Sequence, residues 1–299
     1  MAGPLVVVVN PAARGGRGIR LLAPVLDRLR AGGRDVTVLI GDSAEDALAQ
    51  VRTAVAATPA TPATPAALVA FGGDGLVHLA VQAVAGTGVP LGIIPAGTGN
   101  DIADAIGIPR RDPLKAADAV LGGRTRTIDA ARISPQSRWF AGVVACGFDS
   151  RVNERANRMT WPPGMAKYVV ALVQELRSFT PIPFTITLDD RVIRREAMLV
   201  AVANTRSYGA GMRVCPGAEP DDGLLDVLIL AAMPKSAFLR TFPRVYKGTH
   251  TAHPAVEIVR SAVVTLDAPD AVAYADGERV GPAPLTCAVE PGALRVLVP

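Results

Sequence analysis

Two glycine turns and two acidic turns hold the residue types from which a transfer of phosphate could be built. The stretch IIPAGTGND, Ile93 to Asp101, breaks an apolar run at Pro95, turns through Gly97 and Gly99, and ends on Asn100 and Asp101, both favoured at helix N-termini. Such a turn exposes backbone N–H groups to an anion. It has neither the lysine of a Walker A loop nor the three-glycine spacing of a dinucleotide fingerprint. FGGDG closes another apolar run. Gly72, Gly73 and Gly75 around Asp74 permit a tight turn free of side chains, where Asp74 would either face a metal–phosphate group or cap a helix starting at Gly75. A further glycine-rich turn, NPAARGGRG from Asn10 to Gly18, follows the first apolar run, although Gly and Pro also serve purely conformational ends there. The acidic turns are EPDDGLLDV, Glu219 to Val227, and YADGE, Tyr274 to Glu278. Asp-Gly pairs are first of all hairpin signals. They also supply carboxylates, which phosphoryl transfer uses to hold Mg²⁺ and to accept the proton of a hydroxyl nucleophile.

The elements that must position these turns follow two patterns. In the first third, short continuous apolar runs (PLVVVVN, DVTVLI, ALVAF, PLGIIP) alternate with helical stripes such as IRLLAPVLDRLRAGG and SAEDALAQVRTAVAA. This βαβα succession predicts a doubly wound, mostly parallel sheet. The repeat from Thr58 to Ala66, TPATPATPA, forbids a helix and reads as a solvated polyproline-like connection. After DPLKAADAVLGG the pattern changes to strand-like runs, among them WFAGVVACGF, AVEIVRSAVVTLDA and ALRVLVP. Helices are expected only near 150–158, around GMAKYVVALVQELRSF and near PKSAFLRTFPRVYKG. The expected division is an α/β domain over residues 1–125 and a β-rich antiparallel sandwich over 126–289, with residues about 290–299 free to return to the first domain.

Composition narrows the function classes. With 49% hydrophobic and 19% charged residues the 299-residue chain is expected to fold rather than to be disordered. A net charge of +4 and 4% aromatic residues give no basis for a nucleic-acid partner. Cys146, Cys215 and Cys287 lie far apart, without the spacing of a zinc site or a disulfide framework, so a reducing cytoplasm is expected. Met-Ala-Gly-Pro leads straight into a Val-rich strand without a basic leader. The longest uncharged run, Gly75 to Asn100, is interrupted by glycines and prolines, so any membrane contact is expected to be peripheral.

Taken together, NPAARGG, FGGDG, PAGTGNDIADAIGIP, CGFDSRV, NTRSYGAGMRVCPGAEPDDGLLDV and YADGE resemble, in order and over nearly the whole chain, the bacterial lipid kinases of the diacylglycerol kinase catalytic-domain family, relatives of sphingosine kinases. The resemblance implies a phosphofructokinase- or NAD-kinase-like first domain and ATP-dependent phosphorylation of a lipid hydroxyl in a cleft between two domains. It implies that Asn10, Pro11, Ala12, Ala13 and Arg14, the turn Gly72, Gly73, Asp74, Gly75, Leu76, Val77 and His78, and Thr98 with Asn100 and Asp101 beside it, contact the nucleotide. Asp276 and Glu278 correspond to the activating base, and Asp222 with the backbone carbonyls of Glu219 and Leu224 to a structural Mg²⁺ site. Asp129 and Asp149 match acidic positions near the domain junction. ATP and Mg²⁺ are thus the implied cofactors. Two departures stand out: Leu76 where the family has Thr or Ser, and Arg14 ahead of Gly15–Gly16. The lipid would be met at the inner face of a membrane. There Arg151, Arg155, Arg158 and Lys167, beside Met159, Trp161 and Met165, suit an anionic headgroup region, or form a solvated helix face around a buried Trp. Diacylglycerol is the default acceptor, with a long-chain base or ceramide left open. An NAD kinase-like phosphotransferase and a non-catalytic nucleotide- or lipid-binding regulator are the alternatives, and sheet edges in the second domain offer a homodimer contact.

Overall fold

The structure, a computed structural model, describes residues 4–10, 18–56, 67–164 and 166–299. Pro11 to Arg14, Gly15–Gly16, the Thr58–Ala66 repeat and Met165 lie outside the described residues.

The first part alternates as the apolar pattern requires: β1 (Leu5–Val9), α1 (Leu22–Ala31), β2 (Val36–Leu39), α2 (Ala44–Ala56), β3 (Ala67–Gly72), α3 (Asp74–Val84), β4 (Leu91–Pro95), α4 (Asp101–Ala105) and α5 (Pro113–Gly122). Strand β1 runs parallel between β2 and β3, and β3 lies parallel to β4. Every residue of β3 and β4 is buried, the signature of strands covered on both faces. Helix α1 turns Val25 and Leu29 into the core and stops at Gly32, where a Cβ would collide with Leu121 of α5.

The remainder is dominated by antiparallel strands: β5 (Thr125–Ser134), β6 (Arg138–Phe140), β7 (Val143–Gly147), α6 (Phe148–Arg158), α7 (Ala166–Ser178), β8 (Ile182–Thr187), β9 (Val192–Ala203), β10 (Leu225–Ala231), α8 (Lys235–Thr241), β11 (Val256–Ser261), β12 (Val263–Asp267), β13 (Val272–Ala275), β14 (Glu278–Pro282) and β15 (Leu285–Leu297). Strand β9 pairs antiparallel with β7, β8 and β10, and β13 joins β7 to β14. An α/β domain with parallel strands and an antiparallel β sandwich are thus both present. Strand β15 connects them: it runs antiparallel to β12 and β5, and its end pairs in parallel with β4 at Val296↔Leu91.

Three runs differ from their sequence reading, each for a local reason. WFAGVVACGF, expected as one strand, divides into β6 and β7 because the N–H groups of Ala141, Gly142 and Val143 turn to the Asp276 carboxylate. AVEIVRSAVVTLDA divides into β11 and β12 at Ala262, where Asp189 accepts from the N–H groups of Ala262 (2.6 Å) and Val263 (3.0 Å). ALRVLVP is only the end of a 13-residue strand that continues through an irregularity between Glu290 and Leu294.

Candidate active site

Strand register brings the two glycine turns together. Gly72 pairs with Pro95 at the ends of β3 and β4, and the Ala96 N–H donates to the Gly72 carbonyl at 2.8 Å. A Cβ on Gly97 would collide with Gly73 Cα, so the turns lie back to back only because neither residue has a side chain. Helix α3 starts at Asp74, one residue earlier than the pattern suggested, with Gly73 at its N-cap. The Asp74 carboxylate serves a different helix: Oδ2 accepts from the Asn100 N–H at 2.8 Å and Oδ1 from the Ile102 N–H at 3.2 Å, capping α4. Asn100 sits in the left-handed region (φ 60°) and closes its own turn, accepting from the Gly97 N–H at 3.0 Å and donating to the Gly97 carbonyl at 2.8 Å. Asp101 reaches into the β-rich part, where its Oδ2 accepts from the Ala210 N–H at 2.7 Å; its Oδ1 is buried without a hydrogen-bond partner.

YADGE forms the β13–β14 hairpin. Ala275 pairs with Glu278, and Asp276 (φ 51°) and Gly277 (φ 89°) take the two positive-φ places of a tight turn. The hairpin turn thus also presents a carboxylate. Asp276 Oδ1 accepts from the N–H groups of Gly142 (2.9 Å) and Val143 (3.0 Å), and Oδ2 from the Ala141 N–H (3.2 Å); the His78 Nδ1 of α3 lies 3.0 Å from Oδ2. A Cβ on Gly142 would stand 2.5 Å from Oδ1, so this cradle requires glycine. The neighbouring Glu278 carboxylate overlies Gly75, where a Cβ would come within 2.9 Å of Oε1.

A cavity of about 890 Å³ opens beside these groups. Asp74, Gly75, Asp101 and Asp276 line one part of it, while α6, α7, β10 and α8 supply an apolar remainder that includes Val152, Leu172, Leu228 and Phe238. Edge-to-face contacts of Phe148 with Phe179 (5.1 Å) and Phe238 (5.2 Å) tie the cavity wall together. Within the apolar part, Asp149 and Tyr208 share a hydrogen bond, and burial pushes the Asp149 carboxyl up to about 6. At the polar part, burial and then the neighbouring Asp101 raise Asp74 to about 6, and burial also raises Asp101. Val169, Val173, Leu239 and Tyr246 belong to the lining yet are substantially exposed, and Trp161, 77% exposed, is not the buried Trp of a solvated helix face.

The other sequence-selected residues are placed unevenly. Leu76 and Val77 turn into the core, with the Leu76 methyls against Gly72, so the position that carries a hydroxyl in the family pattern here packs the α3–β3 contact. Asn10 is exposed at the end of β1 and donates its N–H to the Phe71 carbonyl, while Thr98 is exposed at the tip of its turn. Asp222 faces Arg260 and accepts from the Leu224 N–H at 3.1 Å, and Glu219 pairs with Arg206 at 2.7 Å; Glu219, Asp222 and Leu224 all lie off the cavity lining. Among the described residues no group of three or more His, Cys, Asp or Glu side chains is arranged to hold a metal. Asp129 accepts from the N–H groups of Gly223 and Gly292, both at 2.8 Å, tying the DDG turn to β15. Sequence reasoning missed Tyr208, Gln82 and the Ala141–Val143 cradle; a glycine inside an otherwise strand-like run was the available signal for the cradle.

Paired glycine turns at the edge of a parallel sheet, a carboxylate hairpin from an antiparallel sandwich and an apolar cavity between them define a two-domain kinase of the lipid-kinase class. The comparisons agree with this class. Residues 4–133 match the diacylglycerol kinase catalytic domain, and residues 142–298 match the YegS C-terminal NAD kinase beta sandwich-like domain. A protein named diacylglycerol kinase from Mycobacterium tuberculosis (strain ATCC 25618 / H37Rv) is 41% identical over 99% of this chain and 96% of its own length. One of the same name from Bacillus subtilis (strain 168) is 29% identical over 82% of this chain and 79% of its own. The chain belongs to the diacylglycerol kinase family. Among solved structures, a diacylglycerol kinase from Bacillus anthracis str. Sterne shares the fold with a TM-score of 0.72 at 20% identity, covering 99% of this chain and 97% of that one. An NAD kinase from Archaeoglobus fulgidus in complex with ATP shares it with a TM-score of 0.56 at 14% identity, covering 98% and 93%.

Proposed function

We propose that this kinase transfers the γ-phosphate of ATP to the free hydroxyl of diacylglycerol or a close lipid relative, giving a phosphatidic-acid-type product. The observation that carries the reading is the shared cavity: one lining holds both the carboxylates Asp74, Asp101 and Asp276 and an extended apolar wall. Acyl chains would bury their methylenes against α6, α7, β10 and α8, and the headgroup hydroxyl would come to the carboxylates. An NAD kinase reading leaves that apolar wall without a ligand.

On the nucleotide side, residues 1–125 would hold ATP through Asn10 to Arg14, the Gly72–His78 turn and Thr98, with residues 126–289 holding the lipid. The bare backbone at Gly73 and Gly97 suits close approach of a triphosphate. The unpartnered Asp101 Oδ1, beside an Asp74 whose charge is unfavourable without a counter-ion, suits a divalent cation. Mg²⁺, when bound, would neutralise phosphate oxygens and leave the γ-phosphorus open to attack. The separate structural Mg²⁺ would sit at Asp222 with the Glu219 and Leu224 carbonyls, in place of the Arg260 that pairs with Asp222, while the nucleotide's Mg²⁺ would rest on Asp74 and Asp101.

Asp276 would take the proton of the lipid hydroxyl as the new O–P bond forms and the bond between the γ-phosphorus and the β,γ-bridging oxygen breaks, releasing ADP. A free alcohol is too weak an acid to give it up earlier, and the loose transfer state places the proton's departure late. Glu278, over Gly75, would orient Asp276 or share that task. Among the described residues no helix is long and apolar enough to cross a membrane. The exposed Trp161, and the exposed cavity-lining Val169, Val173, Leu239 and Tyr246, with Arg151, Arg158 and Lys167 near Trp161 in the chain, support docking on an anionic bilayer with the cavity facing it.

The test is incubation with radiolabelled ATP, Mg²⁺ and a mixed lipid extract, with the labelled product identified by mass. A phosphorylated glycerolipid is expected; label in NADP, or no transfer to any lipid, overturns the reading.

A further inference from the structure

The carboxylate assigned as base is held by a relay that begins one turn further along the same face of α3. Asp276 accepts from three backbone N–H groups, and the His78 ring lies against Oδ2. The backbone donors are fixed by the β6–β7 break. Only the His78 contact could change character, because Nδ1 either donates a hydrogen or accepts one.

Gln82, one turn further along α3, decides between these. Its Oε1 accepts from the Trp139 N–H at 2.9 Å and its Nε2 donates to the Trp139 carbonyl at 2.7 Å, so two backbone groups of opposite sense fix which way the amide faces. With that orientation Gln82 Nε2 presents its remaining hydrogen to His78, shared between the His78 carbonyl at 3.2 Å and the ring Nε2 at 3.3 Å. A donor facing Nε2 makes that nitrogen the acceptor and leaves the hydrogen on Nδ1, aimed at Asp276. The His78 and Asp276 side chains are 7% and 1% exposed, so water does not substitute readily for either partner.

We propose that His78 is a positioning residue for phosphoryl transfer, its Nδ1–H held toward Asp276 by the Gln82–Trp139 pair. The inference rests on the reading of Asp276 as the base. It assigns to His78, placed on the nucleotide side by the family resemblance, a role at the acceptor end. His78 does not itself line the cavity. Its function is to hold the Asp276 carboxylate, and the β13–β14 turn that carries it, in one place beside the cavity that Asp276 and Gly277 help to line.

The experiment compares His78→Leu, His78→Asn and Gln82→Met with Asp276→Asn and wild type, measuring kcat, the KM values for ATP and diacylglycerol in mixed micelles, and thermal unfolding. Leu keeps the bulk and removes the donor; Asn places an amide nitrogen where Nδ1 stood. His78→Leu should lower kcat roughly 10- to 100-fold, the scale of a misplaced catalytic group, with both KM values within about twofold of wild type. His78→Asn should recover most of the loss, and Gln82→Met should lower kcat in the same direction by less. The proposal is overturned if His78→Leu keeps wild-type kcat, or if Asn recovers nothing although its unfolding midpoint matches wild type. If His78→Leu does not fold, Gln82→Met decides alone, and wild-type kcat there removes the relay. Full activity in Asp276→Asn would sink the base assignment itself, whereas an inactive Asp276→Asn beside fully active His78 variants refutes only the positioning role.

Discussion

Two carboxylates at the cavity, Asp276 and Asp74, are held in opposite ways. Asp276 is surrounded by donors: three backbone N–H groups and a histidine occupy both of its oxygens. Asp74 has two backbone donors against burial and a neighbouring Asp101, and its carboxyl is raised to about 6. The contrast separates two jobs. A group that must receive a proton at one place is immobilised, while a group that would meet a cation is left short of positive charge until that cation arrives.

The largest effect expected from breaking this comparison is on the immobilised side. Asp276→Asn keeps the shape and removes the acceptor for a proton; kcat should fall roughly 100- to 10,000-fold, the range for losing a general base, as measured by steady-state lipid phosphorylation. Next is the glycine contact beneath Asp74. Gly97→Ala places a methyl against Gly73 Cα, and thermal unfolding should report a loss of about 1–3 kcal/mol, with a raised KM for ATP in whatever folds. A tenfold effect confined to the lipid is expected from Leu172→Trp, which fills the apolar wall. The KM for diacylglycerol should rise about tenfold while that for ATP stays put, and an equal rise in both would show that the cavity is not the acyl site.

The smallest effect is the most diagnostic of Asp74. Its folded-state carboxyl lies above the unfolded value, so its contribution favours the fold below about pH 4 and is lost as pH rises through about 6, where ionisation in the fold becomes costly. Asp74→Asn removes that cost. Relative to wild type, its unfolding free energy without nucleotide, measured by denaturation, should therefore climb between about pH 4 and pH 7, by an amount on the order of 1 kcal/mol, even though its activity is lost. A flat difference across that interval would show that Asp74 is not under strain.

Much of the fold was legible because its signals are local. Continuous apolar runs of β1, β3 and β4 announce strands covered on both faces, and the helical stripes between them announce a doubly wound sheet. The Asp-Gly pair in YADGE announced its hairpin for the same reason: two positive-φ positions are a property of two adjacent residues. The break at Ala262 was not legible, since the distant Asp189 imposes it, and at Ala141–Gly142 the glycine could mark the place but not the distant Asp276 that turns the backbone there. The candidate site divides along the same line. Asp74, Asp101 and Asp276 could be selected by type and motif, but for Asp74 the pattern offered only a metal–phosphate contact or a cap for its own helix. Only the adjacency of β3 and β4 turns it to α4.

The sequence by itself determined which residues can adopt the turns, which runs must be buried and which carboxylates are available, because φ preferences, hydrophobic period and side-chain chemistry belong to residues and their neighbours. What the tertiary structure alone decided is which of these meet. Asp276 and His78 are far apart in the chain, and their contact exists because β13 pairs with β7 while α3 packs beside β6. Long-range pairing sets such contacts through the summed fit of whole elements, and no short window of sequence carries that sum.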